Sequence, residues 1–135
     1  DLTDQAVPVL KSIYEELASP IYQSFNISIE GHTDDDPISS LKFPSNWELS
    51  AGRASTVVRF MITEGMKNKR LKATGFADTH PKFPNRDANG APIIDNMIAN
   101  RRVVLRINRK PIYQEVKIPQ FRRKASDKKK SKEIK

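Results

Sequence analysis

Residues 45–54 read SNWELSAGRA, and this stretch begins the helix on which the predicted fold depends. Ser45 and Glu48 stand at the spacing of a capping box, in which each side chain can satisfy the free backbone amide of the other residue. Apolar residues then recur at helical spacing. The sequence therefore predicts a helix from about Ser45 to about Gly65.

Two strand-like segments flank this helix along the chain. Residues 25–31 alternate apolar and polar side chains, and residues 71–76 have the composition of a second strand. A strand, a helix and a strand in this order are typical of a crossover unit, which joins two parallel strands and is usually right-handed. We therefore expect the two strands to lie parallel in one sheet.

The same patterns predict the segments further from this unit. An amphipathic helix with Thr3 as a cap is expected within residues 1–19, and a long loop is expected over residues 77–92. A short helix over residues 93–99 then precedes a strand over residues 102–107.

The positive charge is concentrated at the C-terminal end of the 135-residue chain, whose formal net charge is +8. Residues 121–135 hold eight Lys or Arg and two acidic residues, which leaves the preceding 120 residues nearly neutral. We expect one domain over residues 1–110 and a basic, disordered tail over residues 111–135, because so charged a segment cannot bury apolar surface.

Several absences in the sequence limit its chemistry and its location. The chain has no cysteine, which excludes disulfides, thiolate metal sites and cysteine nucleophiles. It has no apolar run of about 18 residues and no secretory signal pattern. Because it does not begin with Met, we expect a processed product or a fragment, with any membrane anchor or targeting segment upstream.

One charged residue stands on an apolar face of the predicted central helix. Helical spacing places Arg53 beside Leu49 and Val57, inside or at the margin of the buried side. A guanidinium withdrawn from water needs an acid or a bound anion, since an unpaired buried charge costs several kcal/mol. Asp34, which follows the first strand, is the candidate partner in the predicted fold.

Two interpretations of this pair remain open from the residues alone. Asp34 and Arg53 could form a structural ion pair that holds the loop to the helix. Alternatively, Asp34, Arg53 and Asn46 could form a ligand site at the C-terminal end of a strand, where open sheets often bind ligands. An anion, a bidentate cation and an amide together suit a zwitterion such as an amino acid head group.

Four blocks of sequence together resemble the OmpA-like peptidoglycan-binding domain. They follow the family order, lie within residues 29–107, and are Gly31-His32-Thr33-Asp34, Asn46 to Ala54 with Val57, Gly75-Phe76-Ala77-Asp78 and Asn100-Arg101-Arg102-Val103. Within that family, residues 43–50 look like the flagellar stator (MotB) branch. The alternative is a tether of the OmpA or Pal type between the outer membrane and the wall.

The resemblance implies an α/β fold of the α+β sandwich type, in which a mixed sheet has helices packed on one face. It implies that the family's first strand is missing upstream of this chain. It also implies a periplasmic location, a parent protein held in the inner membrane by an N-terminal helix, a homodimer, and a stator channel subunit as a partner. No cofactor is implied.

The resemblance further implies that the domain binds peptidoglycan through meso-diaminopimelate of the peptide stem. The matched Asp34 would hold the ammonium group of this ligand, and the matched Arg53 would hold its carboxylate. The other residues of the implied site are Asn46, Thr33, Asp35, Arg101 and Arg102. Strand alternation allows only one of those two arginines to point inward, and the sequence leaves open which.

Other functions have weaker support. His32 and the three aspartates at 34–36 could bind a metal, but no second carboxylate cluster has ligand spacing. No nucleophile stands beside a base and an orienting acid, and Asp34 and Asp78 are only nominal glycosidase carboxylates. The nearly neutral body argues against a nucleic-acid-binding module. We therefore expect no metal, no catalytic activity and no nucleic-acid partner.

Overall fold

The computed structural model describes residues 2–108 and residue 119. Its elements in chain order are α1 (Ala6–Leu17), β1 (Asn26–His32), α2 (Asn46–Glu64), β2 (Leu71–Gly75), α3 (Ile94–Asn100) and β3 (Arg102–Asn108). None of these described helices is long and apolar enough to cross a membrane. The predicted domain boundary at residue 110 and the predicted tail lie outside the described residues, apart from Pro119.

The three strands form one mixed sheet in the order β2-β1-β3. β1 is parallel to β2, with Ile29 opposite Ala73, and antiparallel to β3, with Ile29 opposite Leu105. The predicted pair of parallel strands joined by a helix is therefore confirmed. The mixed sheet and the α+β architecture implied by the resemblance are confirmed as well.

The hydrophobic core lies between one face of this sheet and helices α1 and α2. Alternate residues of a strand point to opposite faces, so Ile27 and Ile29 face the helices while Ser28, Glu30 and His32 face away from them. The buried core residues are Leu10, Leu17, Ile27, Ile29, Ala54, Val57, Met61 and Met66.

Both predicted helix start signals are observed. The hydroxyl of Thr3 accepts a hydrogen bond from the backbone N–H of Ala6 at 3.2 Å, although α1 is shorter than expected. Ser45 caps α2 by accepting from the N–H of Trp47 at 3.2 Å. The carboxylate of Glu48 accepts a hydrogen bond from the Ser45 hydroxyl.

Helix α2 touches the sheet with its backbone. A Cβ atom added to Gly31 would lie 2.0 Å from the carbonyl oxygen of Ser50, and one added to Gly75 would lie 2.6 Å from the backbone nitrogen of Ala51. The Ser50 hydroxyl also accepts a hydrogen bond from the N–H of Ala77 at 3.0 Å. These contacts hold the first turns of α2 against the C-terminal ends of two parallel strands.

We expect Gly31→Ala to destabilise the fold by about 3 kcal/mol or more, because a side chain there meets backbone, which cannot rotate away. The measurement is the free energy of unfolding in urea. Gly52→Ala is the matched control, since its new methyl group meets only the edge of the Phe43 ring, a side chain that can move. Equal stability of Gly31→Ala and the wild type would contradict the close approach.

Candidate ligand-binding site

A buried carboxylate lies just beyond the end of β1. Asp34 is 6% exposed, and its two carboxylate oxygens accept hydrogen bonds from different donors. Oδ1 accepts from the N–H of Asp36 at 3.0 Å, and Oδ2 accepts from Nη1 of Arg101 at 2.5 Å. The negative charge of Asp34 is therefore compensated by a charge-assisted bond and held in one orientation.

The loop around Asp34 is fixed by bonds to two neighbouring segments. The N–H of Thr33 donates to the carbonyl of Ala77 at 2.9 Å, and the Thr33 hydroxyl donates to the carbonyl of Asp34 at 2.8 Å. From the start of α2, the amide of Asn46 donates to the carbonyl of Asp36 at 2.9 Å. Thr33, Asp34 and Asn46, which the sequence placed in one site, are thus brought together.

Arg86 clamps the other two aspartates of this loop. Its Nε donates to Oδ2 of Asp35 at 2.9 Å, and its Nη2 donates to Oδ1 of Asp36 at 2.9 Å. The hydrogen bond and the charge of Asp35 raise the pKa of Arg86 above its ordinary value, with a smaller contribution from Asp36. Sequence reasoning missed Arg86, because the only signal for it was an unlike charge within a long loop.

Arg53 lies at the margin of the buried side of α2, and its guanidinium is not withdrawn from water as expected. The buried stripe of α2 consists of Ser50, Ala54, Val57 and Met61, and Arg53 lies beside this stripe with its side chain exposed. Asp34 pairs with Arg101, so the structural ion pair considered for Asp34 and Arg53 is not formed. Among the described residues, Arg53 has no hydrogen bond and no ion pair.

The side chain of Arg53 instead lines a groove of about 850 Å³. The groove lies between the outer side of α2, the residues that precede and begin α1, and the start of β3. Its described lining residues are Leu2, Thr3, Ala6, Lys42, Phe43, Leu49, Gly52, Arg53, Thr56, Val57, Arg59, Arg101, Arg102 and Val103. None of these is acidic, so the groove presents positive charge over an apolar floor.

Arg101 connects the groove to Asp34, whereas Arg102 is engaged elsewhere. Arg101 lines the groove and donates to the Asp34 carboxylate. Although Arg102 also borders the groove, its guanidinium donates to the carbonyls of Asn100 at 3.3 Å and His80 at 3.0 Å. Arg101 precedes β3, so strand alternation does not separate the two arginines, and both line the groove. Arg101 is the one directed at Asp34.

Asn100, the residue before Arg101, is fully buried and is held in place by hydrogen bonds of its side chain. Oδ1 of Asn100 accepts from the N–H groups of Lys82 at 2.8 Å and Phe83 at 3.1 Å. Its Nδ2 donates to the carbonyl of Phe83 and to Oδ1 of Asn85, both at 2.8 Å. Asn100 thus joins the end of α3 to the long loop, a role that the sequence did not reveal.

The sheet face opposite the helices carries a buried histidine. His32 is 3% exposed, its ring stacks on Phe76 with centroids 5.1 Å apart, and neither ring nitrogen has a hydrogen-bond partner among the described residues. Burial lowers the pKa of His32 below its ordinary value, and the charge of Arg102 lowers it further, against the opposing effect of Glu30.

No group of three or more His, Asp or Glu in residues 2–108 is arranged to hold a metal ion.

Comparison with known proteins relates this architecture to one family. The model of the OmpA family matches residues 1–94, which include β1, α2 and β2. The match ends before Arg101, so the partner of Asp34 lies beyond the matched part of the chain.

Two curated relatives extend over most of the described residues. A protein named YtxE from Bacillus subtilis is 42% identical over 85 residues, which are 62% of this chain and 33% of that protein. Motility protein B from Helicobacter pylori is 30% identical over 105 residues, which are 75% of this chain and 38% of that protein. The chain therefore spans little more than a third of the length of these relatives.

The fold of this chain is also similar to that of a solved structure. It is the cell wall anchor of the T6SS from Pseudomonas aeruginosa, with a TM-score of 0.67 and 29% sequence identity. The superposition covers 82% of this chain and 71% of that one.

The lowered pKa of His32 predicts a loss of stability on mild acidification. Because the folded pKa lies below the unfolded value of about 6.5, the unfolded chain binds more protons as the pH falls, and the free energy of unfolding decreases. One such proton gives a slope of at most about 1.4 kcal/mol per pH unit. His32→Phe, which keeps a ring against Phe76, should reduce this decline between about pH 7.5 and about pH 5.5.

The check is urea unfolding at a series of pH values within that range. His80→Phe is the control, because His80 is exposed and also borders Phe76. It should keep most of the decline. A His32→Phe variant that loses stability as steeply as the wild type would show that another group causes the effect.

Proposed function

Because the chain belongs to the OmpA family, we propose that it binds peptidoglycan non-covalently and anchors a larger protein to the cell wall. The observation that carries this proposal is a buried carboxylate joined to an arginine-lined groove by Arg101, which contacts Asp34 and lines the groove. The similarity to a protein described as a cell wall anchor supports it.

The ligand that suits this arrangement is the zwitterionic head group of meso-diaminopimelate in the peptide stem. Its ammonium group approaches the carboxylate of Asp34, and its carboxylate approaches Arg53, whose planar guanidinium can bind both oxygens at once. Arg101 contacts Asp34 and lines the same groove as Arg53, so it can support the ligand carboxylate while it stays close to Asp34. Since Arg53 has no acidic partner among the described residues, no ion pair there has to be broken first.

Asn46, Thr33 and Asp35 contribute to this site through the loop. The Asn46 amide and the Thr33 hydroxyl bond to loop carbonyls, and the Asp35 carboxylate bonds to Arg86. These bonds hold the loop in one conformation before the ligand arrives. A site ordered in advance binds more tightly, because less conformational entropy is lost on association.

The larger protein is a flagellar stator subunit in this proposal. The similarity to motility protein B supports that assignment. The domain would then lie in the periplasm, in a homodimer whose parent is held in the inner membrane beside a channel subunit. The similarity to the T6SS anchor favours the second candidate, a wall tether in another envelope assembly, with the same ligand.

We expect Arg53→Lys and Asp34→Asn each to weaken binding of a stem peptide ending in meso-diaminopimelate by at least about tenfold, which is about 1.4 kcal/mol. Lysine keeps the positive charge but loses the bidentate geometry, and asparagine cannot neutralise an ammonium group. The measurement is isothermal titration calorimetry, with co-sedimentation on isolated sacculi as a second assay.

Arg106→Lys is the matched control for Arg53→Lys. It makes the same exchange on β3, where Arg106 pairs with Glu30 at 2.9 Å on the sheet face away from the groove. Its affinity should equal that of the wild type. Melting curves must accompany the titrations, since Asp34 is buried. If both site variants remain folded and bind as tightly as the wild type, the assignment of this site is wrong.

A further inference from the structure

The groove holds more positive charge than one amino acid head group can neutralise. Arg101 is compensated by Asp34, but Lys42, Arg53 and Arg59 have no acidic partner among the described residues. Arg59 donates only to the hydroxyl of Thr56 at 3.1 Å, and the ammonium of Lys42 lies 5.3 Å from the centre of the Phe43 ring. Arg102 is held by the carbonyls of Asn100 and His80. If the ligand carboxylate neutralises Arg53, Lys42 and Arg59 therefore remain for a further anionic group.

These two cations lie apart from Arg53 but in the same groove. Along α2, Gly52, Thr56 and Arg59 form the helical row next to the one that carries Arg53. The missing side chain at Gly52 lets the Phe43 ring lie against this row, because a Cβ there would come within 2.9 Å of the ring. Phe43 and its neighbour Lys42 therefore line the same groove as Arg59.

We propose that Lys42 and Arg59 form a second subsite, which binds a further carboxylate of the same peptide stem. This inference rests on the proposed function and extends it from one residue of the stem to two. In a stem that continues beyond diaminopimelate, the second carboxyl of diaminopimelate is part of a peptide bond, and the nearest further carboxylate is the free α-carboxyl of the γ-linked glutamyl residue. The domain would then distinguish stems in which this carboxyl is free from stems in which it is amidated.

The shape and lining of the groove favour a peptide over a nucleic acid. Its volume of about 850 Å³ exceeds what one amino acid occupies, and Leu49, Val57 and Phe43 give it an apolar floor that suits the aliphatic part of a peptide. A groove for single-stranded nucleic acid typically has several aromatic rings on which bases stack, and Phe43 is the single aromatic residue among the described lining residues.

The test uses two synthetic probes that differ in one group. The first is the tripeptide L-alanyl-γ-D-glutamyl-meso-diaminopimelate in which the diaminopimelate carboxyl outside the zwitterionic head group is blocked as an amide, as a peptide bond blocks it in a longer stem. The second is the same blocked tripeptide with the glutamyl α-carboxyl also converted to a carboxamide. Both are titrated into the wild type and into a Lys42→Gln, Arg59→Gln double variant. A Lys72→Gln, Arg106→Gln double variant is the control, because it removes the same two charges from the other face of the sheet.

We expect the wild type and the control to bind the free acid about tenfold more tightly than the amide. The groove variant should lose this preference by weakening only for the free acid, and its affinity for the amide should be unchanged. The preference should also diminish in concentrated salt, because exposed charges are screened.

Three results would overturn the inference. The wild type could bind both tripeptides equally, which would remove the second subsite and leave the proposed function intact. The groove variant could weaken equally for both, which would indicate a general loss of charge attraction. The groove variant could instead lose binding only to a single-stranded DNA probe that is titrated in parallel, which would assign the groove to nucleic acid. A folded wild type that binds neither tripeptide would overturn the proposed function together with this inference.

Discussion

The contact of the α2 backbone with the ends of β1 and β2 is the constraint on which the site depends. Gly31 and Gly75 have no side chains, so the helix comes close enough for the backbone of Ser50 and Ala51 to touch the strands. This contact determines how α2 is turned about its axis. Asn46 consequently reaches the loop that follows β1, and Arg53 faces the groove and not the core.

A second feature of the molecule is the separation of compensated from uncompensated charge. The buried carboxylate of Asp34 is paired with Arg101, which avoids the large cost of an isolated buried ion. The exposed cations of the groove carry no such cost, since water solvates them. They can therefore remain without acidic partners and attract an anionic ligand. One zwitterion and one further carboxylate would place a carboxylate near each group of uncompensated cations on this side of α2.

Part of the candidate site could be predicted from the sequence, and the residues that were not predicted share a physical reason. Hydrogen bonds bring Thr33, Asp34, Asn46 and Arg101 to one loop, and their part in ligand binding stays a prediction. The sequence left Arg53 inside or at the margin of the buried side, because adjacent rows of an amphipathic helix have similar patterns and only the packing partner decides which row is buried. Arg86 and Asn100 were missed, since the path of the long loop that they hold has no periodic signal.

The sequence by itself determined the order, type and approximate bounds of the helices and strands, because caps, periodicity and turn residues act over a few neighbouring positions. It also identified Asp34 as one half of an ion pair, with Arg53 as its candidate partner. Only the tertiary structure decided that the partner of Asp34 is Arg101, 67 positions further along the chain, and that Arg53 lines a groove. Such contacts depend on how the helix and the sheet pack, which no local pattern encodes.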